Sequence, residues 1–425
     1  MKKFFAEPGD EVEIIVNNKT ERGILLESYD KGILLLKLPN GYNVGFKKED
    51  ISEIKVLEKK KEQKEKKEFK LSGKPIIDFI LTGGTISSKL DPETGGVKWL
   101  ISAEELFSLY PEIFDIADIR VKSPFMKSSE NMNAKDWIKI TKEVGKSLND
   151  PQVKGVIVSH GTDFLHYTAA ALSFMLRNLN KPVVLTYSQR SSDRGSSDAR
   201  LNLLCSARAA LSDIAEVMVV GHATSNDDYC YALKGTKCRK MHTSRRDTFR
   251  PINTFPLAKV WPDKVEPLTS YNKRNKNKVE VDAVFEEKVA LIKFYPGQDP
   301  AILDFYRKQG YKGLIIEMSG LGHVITEGKH NWIPKLKELI KAGIYVYAAP
   351  QTLYGRLDPY VYSPGRKLIE AGVVFLDDIL PETAFVKLGW VLAHKEWRGT
   401  IVTKEKMLEN LAGEFNKRLG NEFLI

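Results

Sequence analysis

The sequence predicts an α/β protein in three parts. A small SH3-like β-barrel (residues 1–58) and a charged linker (59–73) precede a mainly parallel sheet domain (74–280), and a smaller α/β domain follows (281–425). Three observations carry this. Short strand-like runs crowd the first block, a stretch of almost pure charge follows it, and beyond that stretch continuous Val- and Ile-rich runs alternate with helix-like segments. Runs that are apolar at every position belong to strands buried on both faces, which is the pattern of a parallel sheet covered by helices.

In the first block, "GDEVEIIV", "ERGILLESYD", "GILLLKLPNGYNVGF" and "SEIKVLE" read as strands. The "PNG" at Pro39–Gly41 suits a hairpin, because Asn and Gly accept the left-handed backbone that such turns need. Several short strands at close spacing make a small barrel. "KKKEQKEKKEFK" (Lys59–Lys70) has too little apolar surface to join a core, and its mixture of Lys and Glu reads as a solvated spacer, helical or flexible. After it come "KPIIDFIL", "VKGVIVS", "KPVVLTY", "AEVMVVG", "VALIKFY", "GLIIEMSG" and "AGIYVYAAP" as buried strands, with "DFLHYTAAALSFMLRNL" and "ARLNLLCSARAALSD" as helices between them. No solenoid-type repeat is present.

Composition narrows the class. With 42% hydrophobic residues in 425, the chain can bury large cores, and no apolar run approaches the roughly 20 residues that span a bilayer. Acidic residues Glu7, Asp10 and Glu11 interrupt the basic start before any signal-peptide core forms. Three cysteines offer no disulfide framework, and Cys205, Cys230 and Cys238 lack the spacing of a zinc site, so free thiols in a reducing cytoplasm are expected. A net charge of +10 suits an anionic partner such as RNA and equally suits solubility.

Sites in open α/β sheets gather beyond the carboxyl ends of strands. "ILTGGTISS" puts Thr85 at such an end, just past two glycines that let the backbone turn and a ligand approach. A P-loop lysine and a Rossmann fingerprint are both absent, which leaves a nucleophilic threonine or a plain glycine turn. "VIVSHGTDFLHYTA" repeats the design, with Thr162 and Asp163 where a buried strand gives way to a helix. Asp163 also fits a helix cap. A threonine hydroxyl needs a base within reach. His160 reads as a structural histidine. "LKGTKCRKMHTSRRDTF" offers Lys234, Lys237 and Lys240, crowded by Arg239, Arg245 and Arg246, and crowding by cations favours a neutral lysine. Composition does not choose among the three.

Together, "ILTGGTISS" and "SHGTDFL" resemble the two motifs of the L-asparaginase/glutaminase family, whose nucleophiles are threonines. "LTYSQRSSDRGSSDARLNLLCSA" is similar to the strand and loop that follow in that family, and "LPETAFVKLGWVL" to its late helix, so the resemblance runs from about Pro75 to the C-terminus. The barrel, the charged linker and "GTKCRKMHTSRRDTF" resemble one subgroup, the glutaminase subunits of archaeal glutamyl-tRNA(Gln) amidotransferases. By that resemblance Thr85, Thr162, Asp163 and Lys240 are the catalytic set. Ser129 and Glu130, in "KSSENM", match the loop for the substrate's amino-acid end, and Glu382, in "PETA", a late acidic position near its amino group. The sequence departs from common asparaginases at Glu130, Asn131 and Ser188, so asparagine preference does not carry over with the motifs.

The resemblance implies hydrolysis of L-glutamine to glutamate and ammonia, with no metal or cofactor in this subunit. Ammonia would pass to a GatE-type partner subunit, which binds most of the tRNA(Gln) and uses ATP and Mg²⁺ to amidate the attached glutamate. A homodimer of this chain inside a heterotetramer, with no membrane association, is expected. "NKRNKNK" (Asn272–Lys278) reads as solvated surface. Two other readings compete: a free-standing L-asparaginase, and a catalytically silent RNA-binding scaffold built on the barrel and the positive charge.

Overall fold

The computed structural model describes residues 6–26, 28, 30–39, 42–59, 71–90, 97–99, 103–192 and 194–421. Strands β1 (Glu11–Val16), β2 (Lys19–Leu26), β3 (Ile33–Lys37), β4 (Asn43–Lys47) and β5 (Ile51–Glu58) form one antiparallel sheet in the order β4-β3-β2-β1-β5. Alternation makes it: Val12, Ile14 and Val16 face inward from β1, and Leu34 and Leu36 from β3. Two register shifts between β1 and β5 bend the sheet around Val12, Ile14, Leu25, Leu36 and Ile51, which gives the expected barrel-like unit its own core. The turn residues Asn40 and Gly41 and linker residues 60–70 lie outside the described residues. On re-entry, the backbone N–H groups of Ser72, Gly73 and Lys74 all donate to Asp118, which anchors the chain to the edge of the next sheet.

The next sheet is built from β6 (Ile76–Leu81), β7 (Asp118–Lys122), β8 (Val153–Ser159), β9 (Val183–Thr186), β10 (Val217–His222) and β11 (Cys230–Lys234). After a separate hairpin of β12 (Cys238–Lys240) and β13 (Phe249–Pro251), strands β14 (Ala258–Val260) and β15 (Val265–Pro267) complete it. The order is β15-β14-β11-β10-β9-β8-β6-β7. The five strands from β10 to β7 are parallel, as the continuous apolar runs predict. Strands β11, β14 and β15 extend the sheet antiparallel. They are too short and too exposed toward the edge to give a readable apolar run.

Among the described residues, the longest helices that cover this sheet are α1 (Ala134–Leu148), α2 (Leu165–Met175) and α3 (Ala199–Leu211). Helix α1 is amphipathic, with Trp137, Ile140, Val144 and Leu148 buried, and it opens on a capping box between Asn133 and Asp136. Helix α2 is apolar nearly all round, because the sheet covers one side and helix α4 (Pro381–Ala393) the other. The smaller unit is a parallel sheet of β16 (Val289–Lys293), β17 (Gly313–Met318), β18 (Tyr345–Pro350) and β19 (Val374–Phe375), paired in sequence order. "NKRNKNK" is only partly a solvated surface: the Arg274 guanidinium donates to backbone carbonyls of Ser212, Lys154 and Ala210, strapping the segment to the sheet domain.

Candidate active site

Strands β6, β8 and β9 run in register, with Leu81 opposite Ser159 and Ser159 opposite Thr186, so their carboxyl ends finish together. Beyond β6, Gly83 (φ +120°) and Gly84 (φ +87°) turn the chain sharply into a 3₁₀ turn that begins at Thr85. A Cβ on Gly83 would lie 2.4 Å from the Lys127 carbonyl oxygen, and one on Gly84 would lie 2.5 Å from the backbone of His160 and Gly161. Gly161 in turn packs on Ser129, where a Cβ would come within 2.9 Å. The glycines therefore draw three turns into backbone contact. Thr85 and Thr162 each follow one side of the Gly84–Gly161 contact, and buried Ser129 adjoins it.

Lys240 arrives from elsewhere, at the end of β12. Its Nζ donates to Thr162 Oγ1 (2.8 Å) and Asp163 Oδ1 (2.7 Å). The other two candidate lysines are engaged away from the threonines. Lys234 Nζ is 3.5 Å from Glu216, and Lys237 is buried on Asp378 at 2.6 Å. The arginines expected to crowd Lys240 have carboxylates of their own: Arg239 pairs with Glu382 (3.0 Å), Arg245 with Asp247 (2.8 Å) and Arg246 with Asp227 (2.9 Å). Their charge is thus partly neutralised, and the contact that Lys240 itself makes is with an acid.

His160 is structural, as its sequence context predicts. It is fully buried, with Nδ1 2.7 Å from the Gly161 carbonyl oxygen and Nε2 2.8 Å from Thr168 Oγ1, and burial pushes its pKa down to about 4. Ser188, a departure from common asparaginases, turns inward and donates to Asp198 at 2.9 Å, bracing its own loop. Glu130 is exposed and lines, with Ser129, an aromatic cleft of about 360 Å³. Glu382 lines a different cleft of about 410 Å³ with Asp163, Arg239 and Lys240. One of its oxygens is on Arg239, and the other is buried without a hydrogen-bond partner. Sequence reasoning places Arg239 only as a crowding cation and misses His166, which lines the same cleft. Burial, with Arg239 adding to it, pushes the His166 pKa down to about 3.

The described residues hold no His, Cys, Asp and Glu cluster able to bind a metal ion. Over 420 aligned residues the chain is 50% identical to the D subunit of the glutamyl-tRNA(Gln) amidotransferase of Thermococcus kodakarensis, covering 96% of this chain and 94% of that one. The chain belongs to the GatD family of glutamyl-tRNA(Gln) amidotransferase subunits. The GatD relative from Pyrococcus furiosus is 48% identical over 439 aligned positions, covering 100% of this chain and 99% of its own. Family models agree part by part: "GatD N-terminal domain" matches residues 6–57, "Asparaginase, N-terminal" 76–273, and "Glutaminase/Asparaginase C-terminal domain" 288–403. Among solved structures, the thermostable L-asparaginase from Thermococcus kodakarensis superposes with a TM-score of 0.72 at 28% identity, over 81% of this chain and all of that one. L-asparaginase I from Vibrio cholerae gives 0.69 at 27%, with the same coverage.

In this member of the GatD family, the chemistry open to the site follows from its donors and acceptors. Two hydroxyls stand at strand ends, one held by a lysine that is itself held by a carboxylate. Such a set suits attack on an acyl carbon, with the amine moving protons.

Proposed function

We propose that the chain is the glutaminase subunit of a glutamyl-tRNA(Gln) amidotransferase, cleaving the side-chain amide of L-glutamine to glutamate and ammonia. The observation that carries this reading is Lys240 Nζ bridging Thr162 Oγ1 and Asp163 Oδ1, with Thr162 and Thr85 each next in sequence to one of the two glycines, Gly161 and Gly84, that meet. Thr85 Oγ1 attacks the amide carbon as its proton passes to Lys240, once that amine has been deprotonated; the C–N bond then breaks and leaves a γ-glutamyl ester. The carbonyl oxygen gathers negative charge, and backbone N–H groups at the glycine turns stabilise it; one such donor is worth roughly 2.7–4 kcal/mol of barrier. Ammonia leaves with a proton from the Lys240 side. Water, activated by Thr162 and Lys240, then releases glutamate. In the resting site Lys240 is ion-paired with Asp163, so it must give up a proton before it can take one. Ser129, at the same junction, meets the amino-acid end of the substrate together with Glu130.

The ammonia passes to a GatE-type partner subunit, which phosphorylates the glutamate on tRNA(Gln) with ATP and Mg²⁺ and amidates it in the cytoplasm. Two copies of this chain form the core of the heterotetramer. The test mixes the chain with the partner subunit and glutamyl-tRNA(Gln), and follows ammonia release and amidation with glutamine or asparagine as donor. Glutamine-dependent amidation is expected. Rapid asparagine hydrolysis by the chain alone, without amidation, would assign it instead to free-standing asparaginases, and salt-sensitive RNA binding with no amidase activity would leave only the scaffold reading.

A further inference from the structure

The hairpin strand that carries Lys240 is not held by the sheet domain alone. Arg239 within it, and Thr236 and Lys237 just before it, are fastened to the segment Asp378–Thr383, at the entrance of helix α4 in the smaller unit. The Thr236 carbonyl accepts from Thr383 Oγ1 (3.0 Å), Lys237 Nζ reaches Asp378 Oδ2 (2.6 Å), and Arg239 reaches Glu382 Oε1 (3.0 Å). The last attachment is the one nearest Lys240. It is also the one most able to act on the site, because both partners line the cleft that Lys240 and Asp163 share. The Glu382 side chain is 7% exposed and that of Arg239 29% exposed, so water screens the pair little.

We propose that Glu382 is a positioning residue for the reaction: through Arg239 it sets Lys240 against Thr162 and Asp163. The inference rests on the function proposed above and gives Glu382 a role different from contact with the substrate's amino group. The geometry supports it through Oε1, the oxygen that meets a cation, which meets Arg239 of the same chain. Oε2 is buried and makes no hydrogen bond, so it is the oxygen free to meet a ligand in the cleft, and the experiment below separates that contact from positioning. Arg239 and Lys240 are consecutive in β12, so a shift of the Arg239 backbone moves the next Cα with it, and a bond of 2.8 Å from Nζ to Thr162 leaves little room for such a shift. By this account the smaller unit contributes to the reaction by holding the catalytic lysine in register, and rotation of that unit would alter the rate before it altered binding.

The experiment measures glutamine hydrolysis by the full chain with its partner subunit, for Glu382→Gln, Arg239→Met and the Arg239→Met/Glu382→Met pair, beside the unsubstituted protein. A positioning role predicts a 10- to 100-fold lower kcat for each single variant, with KM for glutamine within about threefold. It also predicts that the pair is no worse than Arg239→Met alone, because the two act as one unit. Glu382→Asp, which keeps the charge, should recover part of the loss. The inference is overturned if Glu382→Gln raises KM tenfold while keeping kcat, as loss of a substrate contact would, or if the two losses multiply in the pair. Should the pair fold poorly, the split between kcat and KM in Glu382→Gln decides alone. Absence of glutamine hydrolysis by the unsubstituted assembly would instead remove the reading beneath, and this inference with it.

Discussion

Lys240 makes two contacts of unequal consequence. Its ion pair with Asp163 involves a carboxylate 61% exposed, and pairs of that kind contribute roughly 0–1 kcal/mol to stability. Its contact with Thr162, which is 8% exposed, lies where the proposed chemistry occurs. Lys240→Ala should therefore lower glutamine hydrolysis by about 10²–10⁴-fold, the range for losing a positioned proton-transfer group, while the thermal midpoint hardly moves. Ammonia assays beside a melting curve check both halves, and a variant that loses activity only in step with its melting temperature would count against the role. The same residue marks a limit of sequence reasoning. Lys234, Lys237 and Lys240 sit in one basic stretch, and nothing in composition separates them. The separation comes from Glu216 and Asp378, distant acids that claim the first two, and such pairings are invisible before the chain folds.

At the scale of elements, the parallel strands and the two threonine-bearing turns were legible, because a buried strand is apolar at every position and a glycine turn is written in its own residues. What could not be read was how the turns meet. Gly84 is required twice, by its φ of +87° and by the 2.5 Å that a Cβ would leave to the His160–Gly161 backbone. Gly84→Ala should cost about 1–3 kcal/mol from the backbone conformation alone, and it should abolish hydrolysis by prising the β6 turn from the β8 turn. Denaturant unfolding with an activity assay tests this; an active, equally stable Gly84→Ala protein would show that the contact is dispensable. The antiparallel edge of β11, β14 and β15 escaped notice for a different reason. Its strands are short, and the outermost, β15, is largely exposed, so no periodicity stands out. The buried pair of Lys237 and Asp378 was equally hidden. Lys237→Met would leave the Asp378 carboxylate buried with only Asn416 and its own surroundings, at an expected cost of about 3–5 kcal/mol. A destabilisation below 1 kcal/mol in equilibrium unfolding would mean that this pair does not clamp the two units.

For the whole molecule, the pH dependence of stability follows from two imidazoles shut inside the sheet domain. His160 and His166 have pKa values pushed down to about 4 and about 3 by burial, against an ordinary 6.5 in the unfolded chain. Between those limits the unfolded chain binds protons that the folded one refuses. Stability is therefore complete above pH 6.5 and is lost as pH falls toward the folded values. Well below pH 6.5 each group removes about 1.4 kcal/mol per pH unit, and because each is only half protonated in the unfolded chain at pH 6.5, the two together remove about 3 kcal/mol between pH 6.5 and 5. The carboxylates with lowered pKa, such as Asp78 held by Arg120 and Lys122 against its burial, act around and below the ordinary Asp value of 3.8, outside the range between pH 6.5 and 5. His166 separates the contributions. Its Nδ1 has no hydrogen-bond partner, and its ring lies against Tyr167 and Phe249, surroundings that accept a phenyl ring. His166→Phe should thus fold well at pH 7.5 and halve the slope of stability against pH between 6.5 and 5. Urea unfolding midpoints across that range provide the measurement. A slope unchanged in the variant would mean that His166 is protonated in the folded protein, and that Arg239 and Lys240 do not keep a further positive charge out of their cleft.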